Sequence, residues 1–262
     1  MSRARTLLLG GAVLGGVGLW LMSNDAEAAE GRARRKAAPV IVPPARDLGL
    51  PVLDLMRAAC STRNWWFPKD DHDDDLFLFG IRDSTDAGTW NDCLGACMRV
   101  GGKWRSWLWR GTTDPGREVL LDPTNPSGAA ILDEDQYRAM WSLGFHKHDP
   151  KRPAFVQTGR LRVVRDDNRD ALLNVAGIGD GVTVQTGLYG INGHDAWKDG
   201  LLTVGHASEG CQVWWRRSEL ADALTLGRRQ VATHPVWTSF TYTLLSVTTA
   251  PELRPLVLAV RA

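Results

Sequence analysis

Several things are scarce in this sequence, and each scarcity removes a class of reading. A net charge of +1 over 262 residues leaves no basic excess from which a nucleic-acid footprint could be built. No internal repeat is visible. Five Asp and one His fall between Asp70 and Asp75, but the run lacks the spaced D-x-D-x-D-G order of a calcium loop and reads as a solvated acidic loop. Cysteine is limited to four residues and histidine to six. Of these, His194, His206 and Cys211 are spaced H-x11-H-x4-C, without the close paired ligands of common zinc motifs, so neither a metal nor another cofactor is expected.

With 44% hydrophobic and 23% charged residues, the chain has the composition of a globular protein. Its amino terminus stands apart. Arg3 and Arg5 precede an uncharged run from Thr6 to Met22, followed by the small-residue string Ala26-Glu27-Ala28-Ala29. A basic start, an apolar stretch and an A-x-A site are the parts of an export signal, and five glycines in the run argue against a buried soluble helix. Residues 1–29 are therefore expected to be a signal peptide or a membrane anchor. Residues 30–52, with four prolines and a short basic cluster, read as a linker.

The body gives mostly strand signals. Leu53 to Cys60 carries a short helical pattern within an N-terminal extension, residues 53–75. LFLFGIR, from Leu76, is apolar enough to be a buried strand, whereas TWNDCLGACMRVGG reads as a short helix ending at Gly101-Gly102. In the next stretch Trp104, Ser106 and Leu108 alternate with Arg105, Trp107 and Trp109 before a turn at Asp114-Pro115-Gly116. These tryptophans suit either a sugar-stacking platform or a core. Residues 161–175 repeat a strand, turn, strand pattern around Asp166-Asp167-Asn168. The expected fold is one β-rich α+β domain, a mixed β-sheet or sandwich with a few short helices, over residues 76–262.

An even cysteine count in an exported chain points to pairing, and Cys60 with Cys93 or Cys97 is the natural bridge. Cys211 is different. It closes the segment Ser208-Glu209-Gly210-Cys211, downstream of Gly190-Ile191-Asn192-Gly193-His194, and both segments carry glycines that let backbone amides approach a substrate carbonyl. A thiol with an imidazole to take its proton is a nucleophile.

These two segments resemble the signature of the L,D-transpeptidase (YkuD-like) catalytic domain, in which a His precedes a Ser-His-Gly-Cys segment by a similar interval. Phage- and prophage-borne wall enzymes are the nearer resemblance, through RGTTDPG, RVVRDDN, GINGH, SEGCQV and FTYTLL. The resemblance implies Cys211 as nucleophile and His194 as general base. It also implies that the Gly190 carbonyl orients the imidazole and that the Gly210 and Cys211 amides stabilise an oxyanion. Ser208 would shape the turn and, with Asn192, border the substrate, while His206 matches no catalytic position. The chain departs from the pattern at Glu209, where the family has His, and at Val213, where it has Arg. Arg216 and Arg217 are the nearby guanidinium groups that could meet a substrate carboxylate.

The implied activity is cysteine acyl transfer on peptidoglycan stem peptides at the cell envelope, without a cofactor. Hydrolysis is favoured over cross-linking because the recognition residues are altered. The competing expectation, from another class, is a non-catalytic wall-binding or virion structural protein that has kept the fold.

Overall fold

The computed structural model describes residues 40–173, 175 and 183–262, so the expected export segment and residues 30–39 lie outside the described residues. Among the described residues eleven strands run in chain order: β1 Phe77–Arg82, β2 Asp92–Val100, β3 Lys103–Thr112, β4 Ala129–Leu132, β5 Asp135–Phe145, β6 Pro153–Gln157, β7 Leu161–Asp166, β8 Thr183–Gly187, β9 Gly193–Asp195, β10 Gln212–Trp214 and β11 Ser239–Ser246. Four α-helices accompany them among the described residues: α1 Val52–Thr62, α2 Arg117–Leu121, α3 Arg217–Thr233 and α4 Arg254–Arg261. Eight strands close into a barrel in the order β1-β11-β5-β6-β9-β10-β3-β2, and β4-β7-β8 form a separate three-stranded sheet. The barrel is mixed, with β1 parallel to β11 and β9 parallel to β10. The β-rich α+β expectation holds; the sheet is closed on itself.

Strand side chains alternate between two apolar layers. Leu78, Leu94, Ala96, Trp107 and Trp109 face the barrel interior, where they meet Trp141, Phe155, Trp214 and Tyr242. Their neighbours Phe77, Phe79, Ile81, Cys93, Cys97 and Leu108 face outward into a second cluster with Val52, Met56, Ala59 and Cys60 of α1 and Leu256 and Val257 of α4. The four α1 residues recur at the spacing of one helical face. The tryptophan alternation is thus a core feature: Trp107 and Trp109 are wholly buried and do not form a sugar platform.

This double burial explains one correction. Residues 92–100 are a strand and not a helix, because apolar side chains on both faces hide the period of two. Gly101 and Gly102, at φ +58° and +79°, make the two-residue hairpin turn into β3. A second correction concerns residues 161–175: β7 ends at Asp166 and lies between two antiparallel neighbours, β4 and β8, of which the one that follows it in the chain, β8, begins only at Thr183. The acidic run is also more than a solvated loop. Asp70 accepts from Trp104 Nε1 at 2.6 Å, Asp73 pairs with Arg99 at 2.5 Å, and buried Asp74 pairs with Arg229 at 3.0 Å.

Val40–Ala262 form one compact unit, so residues 53–75 are part of the domain and residues 40–51 are not a free linker. Trp107 Nε1 donates to Pro44 O at 2.8 Å, Leu108 N donates to Arg46 O at 2.9 Å, and Arg46 pairs with buried Glu219 of α3 at 2.7 Å. All four cysteines are free thiols, so the expected bridge from Cys60 is absent. Cys60, Cys93 and Cys97 sit in the outer apolar layer, where burial pushes the Cys60 thiol up to about 11 and Cys97 to about 12. They behave as small apolar residues.

A buried polar cluster fixes the turn after β3. Arg82 Nε pairs with Asp114 at 2.6 Å, and its Nη2 donates to Leu132 O at 2.9 Å. Asp92 accepts from the amides of Asp83 and Thr113 at 2.7 and 2.6 Å. Gly116 N then donates to Ser208 O at 2.9 Å, which ties this turn to the Ser208–Cys211 segment.

Candidate functional site

Strands β9 and β10 lie side by side and parallel, with Gln212 opposite Gly193 and Val213 opposite His194. That register sets Cys211 beside Asn192. Asn192 and His194, two residues apart, share one face of the chain. The two glycine-bearing segments therefore meet, at a cleft of about 880 Å³ whose lining includes Cys211, His194, Asn192, Gly190 and His146.

The turn that delivers Cys211 requires its glycine. Ser208 Oγ accepts from Gly210 N at 3.1 Å and donates to Cys211 O at 2.9 Å. Gly210 sits at φ +122°, and a Cβ there would lie 2.1 Å from Ala130 O. Only glycine takes this conformation without strain. Ser208 is wholly buried; its two hydrogen bonds shape the turn, and it is not among the residues that line the cleft.

Cys211 Sγ accepts from Asn192 N at 3.4 Å and donates to Gly190 O at 3.4 Å. Burial pushes the thiol up to about 11, and the Glu209 carboxylate adds to the rise, while the Asn192 N–H, Lys147 and Arg152 oppose it. The resting group is thus a protonated thiol. His194 is 2% exposed and its ring stacks on Trp197 at 5.7 Å. Its Nδ1 lies 2.7 Å from Asp195 O, an acceptor that fixes the Nδ1–H tautomer and leaves Nε2 as the basic nitrogen. Burial brings its pKa down to about 4, with Arg152 and Lys147 contributing. The imidazole is neutral at physiological pH and able to accept a proton. Thiol and imidazole share the cleft without a hydrogen bond between them, so any proton transfer belongs to the reaction and not to the resting state.

Several site assignments change. The Gly190 carbonyl does not orient His194; Asp195 O does, and Gly190 O receives the thiol proton instead. The Gly210 amide is engaged by Ser208 Oγ and is unavailable to an oxyanion. Among the described residues the Cys211 amide has no acceptor. Asn192 lines the cleft but is 8% exposed, with Oδ1 accepting from Gln157 N at 2.8 Å, so its side chain is structural. Arg216 lies over Trp215 at 4.9 Å and Arg217 pairs with Asp195 at 3.3 Å; neither lines the cleft. Its cations are Lys147 and Arg165. His206 is exposed and lies on the cleft lining.

His146 and Lys147 were not legible as site residues. They follow β5, and the antiparallel pairing of β5 with β6, and of β6 with β9, carries them to the cleft. No short-range spacing links them to His194. Among the described residues no group of three His, Cys, Asp or Glu side chains is placed to hold a metal ion.

Comparison with protein-family models, with curated proteins and with solved structures found no match.

Proposed function

We propose that Cys211 is the nucleophile of a cysteine acyl-transfer enzyme acting on peptidoglycan stem peptides, in a YkuD-like catalytic domain, with His194 as its general base. The observation that carries this reading is the meeting at one cleft of Cys211, which immediately precedes β10, and a neutral, tautomer-fixed His194 on the adjacent parallel strand β9. In the first step the thiol turns from Gly190 O, its proton passes to His194 Nε2, and Sγ bonds to the substrate carbonyl carbon as the π pair moves onto oxygen. Collapse breaks the C–N bond, and His194 returns the proton to the leaving amine. Water or a second amine then resolves the thioester. Hydrolysis is the favoured outcome, since neither Arg216 nor Arg217 reaches the cleft to hold an acceptor. Residues 1–29, as a signal peptide or membrane anchor, would direct the domain to the cell envelope; association with a virion is the alternative location in a phage setting.

The second reading, a non-catalytic wall-binding or virion structural protein, draws on one observation: the resting thiol is bonded to Gly190 O and not to the imidazole. Incubating the full chain and Cys211→Ala with defined muropeptides, followed by mass spectrometry, separates the two. New products with wild type alone support the enzyme; binding without products from either protein supports the structural role.

A further inference from the structure

The acyl-transfer reading of Cys211, on which this inference rests, concerns one carbonyl; the rest of the cleft decides which acyl group brings it there. Of the two cations that line the cleft, Lys147 is exposed, whereas Arg165 of β7 is only 7% exposed. The register of β4 with β7 sets Arg165 opposite Ala130, and Ala130 O is the atom that a Cβ on Gly210 would meet at 2.1 Å. Arg165 therefore starts one strand away from the residue that abuts the turn carrying Cys211. Side chains alternate along β7: Val164 points into the small cluster around Val119, whereas Leu161 and Val163 point into the barrel-side core. Arg165 shares the side of Leu161 and Val163.

The guanidinium is held on that side by three contacts. Nε donates to Gln185 Oε1 at 3.0 Å, Nη1 donates to Gly128 O at 3.1 Å, and the group lies over the Tyr189 ring at 5.0 Å. Tyr189 directly precedes Gly190, whose carbonyl receives the thiol proton. Gly128, Tyr189 and Gly190 all line the cleft with Arg165. Nη2 makes no hydrogen bond among the described residues, yet it is not one of the polar atoms sealed from the surface. Every partner of this guanidinium is neutral, and a mostly buried charge is costly unless an opposite charge completes it. Glu209, the one carboxylate among the lining residues, is exposed and forms no ion pair with it.

We propose that Arg165 is the specificity-determining residue of this cleft and that its Nη2 donates to a carboxylate carried by the acyl-donating part of the substrate. The cleft then takes acidic acyl groups. The choice of the acyl side follows from the order along the chain. Cys211 Sγ meets Gly190 O and Asn192 N; His194, which would protonate the leaving amine, lies beyond Asn192, and Tyr189, beneath Arg165, lies before Gly190. The leaving group extends toward His194 and the acyl group toward Arg165. Arg165 forms and breaks no covalent bond. It supplies a charge-assisted hydrogen bond, of the kind a guanidinium makes well with a carboxylate, in the role expected of Arg216 and Arg217.

The test uses two pairs of reagents on the full chain, with labelling of Cys211 read by intact mass and Cys211→Ala as the blank. One pair acylates the thiol: the mono-4-nitrophenyl ester of adipic acid and the methyl ester of that compound. The other alkylates it without acyl transfer: N-(iodoacetyl)-β-alanine and its primary amide. Relative to N-acetylcysteine, the wild type should favour the acidic member of each pair by about ten-fold or more, the worth of one hydrogen bond to a charged group. Arg165→Gln should bring that preference to within about two-fold of N-acetylcysteine and leave the rate with each neutral member within about two-fold of wild type. Arg165→Lys, which keeps the charge and loses the held fork, should fall between. A wild type that reacts with both members of either pair without an acidic preference overturns the proposal, as does a preference that survives Arg165→Gln. Acidic and neutral rates falling together in Arg165→Gln also overturn it, since Arg165 then only holds Gly128 and Gln185 in place. An Arg165-dependent preference in alkylation, with no acylation by either ester, keeps Arg165 as a carboxylate site and removes the acyl-transfer reading instead.

Discussion

His194 is held neutral by burial, and that state should be visible in the acid stability of the fold. Its pKa is brought from the ordinary 6.5 down to about 4. A depressed folded-state pKa contributes stability that is present above pH 6.5 and is lost as the pH falls through about 4, because the unfolded chain takes up the proton first. A gap of about 2.5 pH units, at ~1.4 kcal/mol per unit, corresponds to roughly 3 kcal/mol. Buried Asp92 acts in the opposite sense. Burial raises it to about 7, so its contribution is present below the ordinary carboxylate range and is lost as pH rises through 7. Buried His146, lowered to about 3 by burial and by His194, acts in the same sense as His194, so absolute acid profiles mix all three groups and the comparison has to be with His194→Gln. Urea unfolding followed by tryptophan fluorescence, with twelve reporters, at several pH values between 7 and 4 gives stability for each protein. The substitution imposes a pH-independent offset and should remove roughly 3 kcal/mol of the acid-induced loss. Parallel losses in wild type and His194→Gln over this range would refute a buried neutral imidazole.

Three further outcomes follow from the same geometry. Gly210→Ala forces a Cβ to within 2.1 Å of Ala130 O at φ +122°, and should cost more than about 2 kcal/mol in urea unfolding. Glu209→Gln removes the anion that raises the thiol pKa; alkylation at pH 8 should speed up about two- to five-fold, an effect that shrinks in 1 M salt as screening increases. Deleting residues 1–29 should leave a folded domain in the cytoplasm, read by fractionation against the full chain, and unchanged export would remove the signal reading.

What the sequence made legible is the part encoded locally. The apolar run from Leu76, the α1 spacing and the tryptophan alternation of β3 each carry their own period, and the structure uses each accordingly. The β2 strand was hidden because Cys93 and Cys97 face one apolar layer while Leu94, Ala96 and Met98 face another, which erases the alternation. Residues 40–51 looked like linker because their anchoring is long-range: Pro44 and Arg46 hold to Trp107 and Glu219. At the site, Gly193, His194, Gly210 and Cys211 were recognisable because glycine and reactive side chains occur in tight segments. His146 was not, since only the pairing of β5, β6 and β9 brings it to His194. The expected roles of the Gly190 carbonyl and the Gly210 amide failed for a related reason: hydrogen-bond partners at a turn depend on φ and ψ, which residue identity leaves open at glycine.

The central claim is that His194 serves Cys211 as base in acyl transfer. The most direct measurement is the rate of Cys211 acylation by an activated stem-peptide ester, followed by intact mass, in wild type, His194→Ala and His206→Ala. The account predicts that His194→Ala lowers the rate by about a hundred-fold or more, the usual contribution of a positioned general base, and that His206→Ala stays within a few-fold of wild type. Acylation that survives His194→Ala and is abolished by His206→Ala would contradict it.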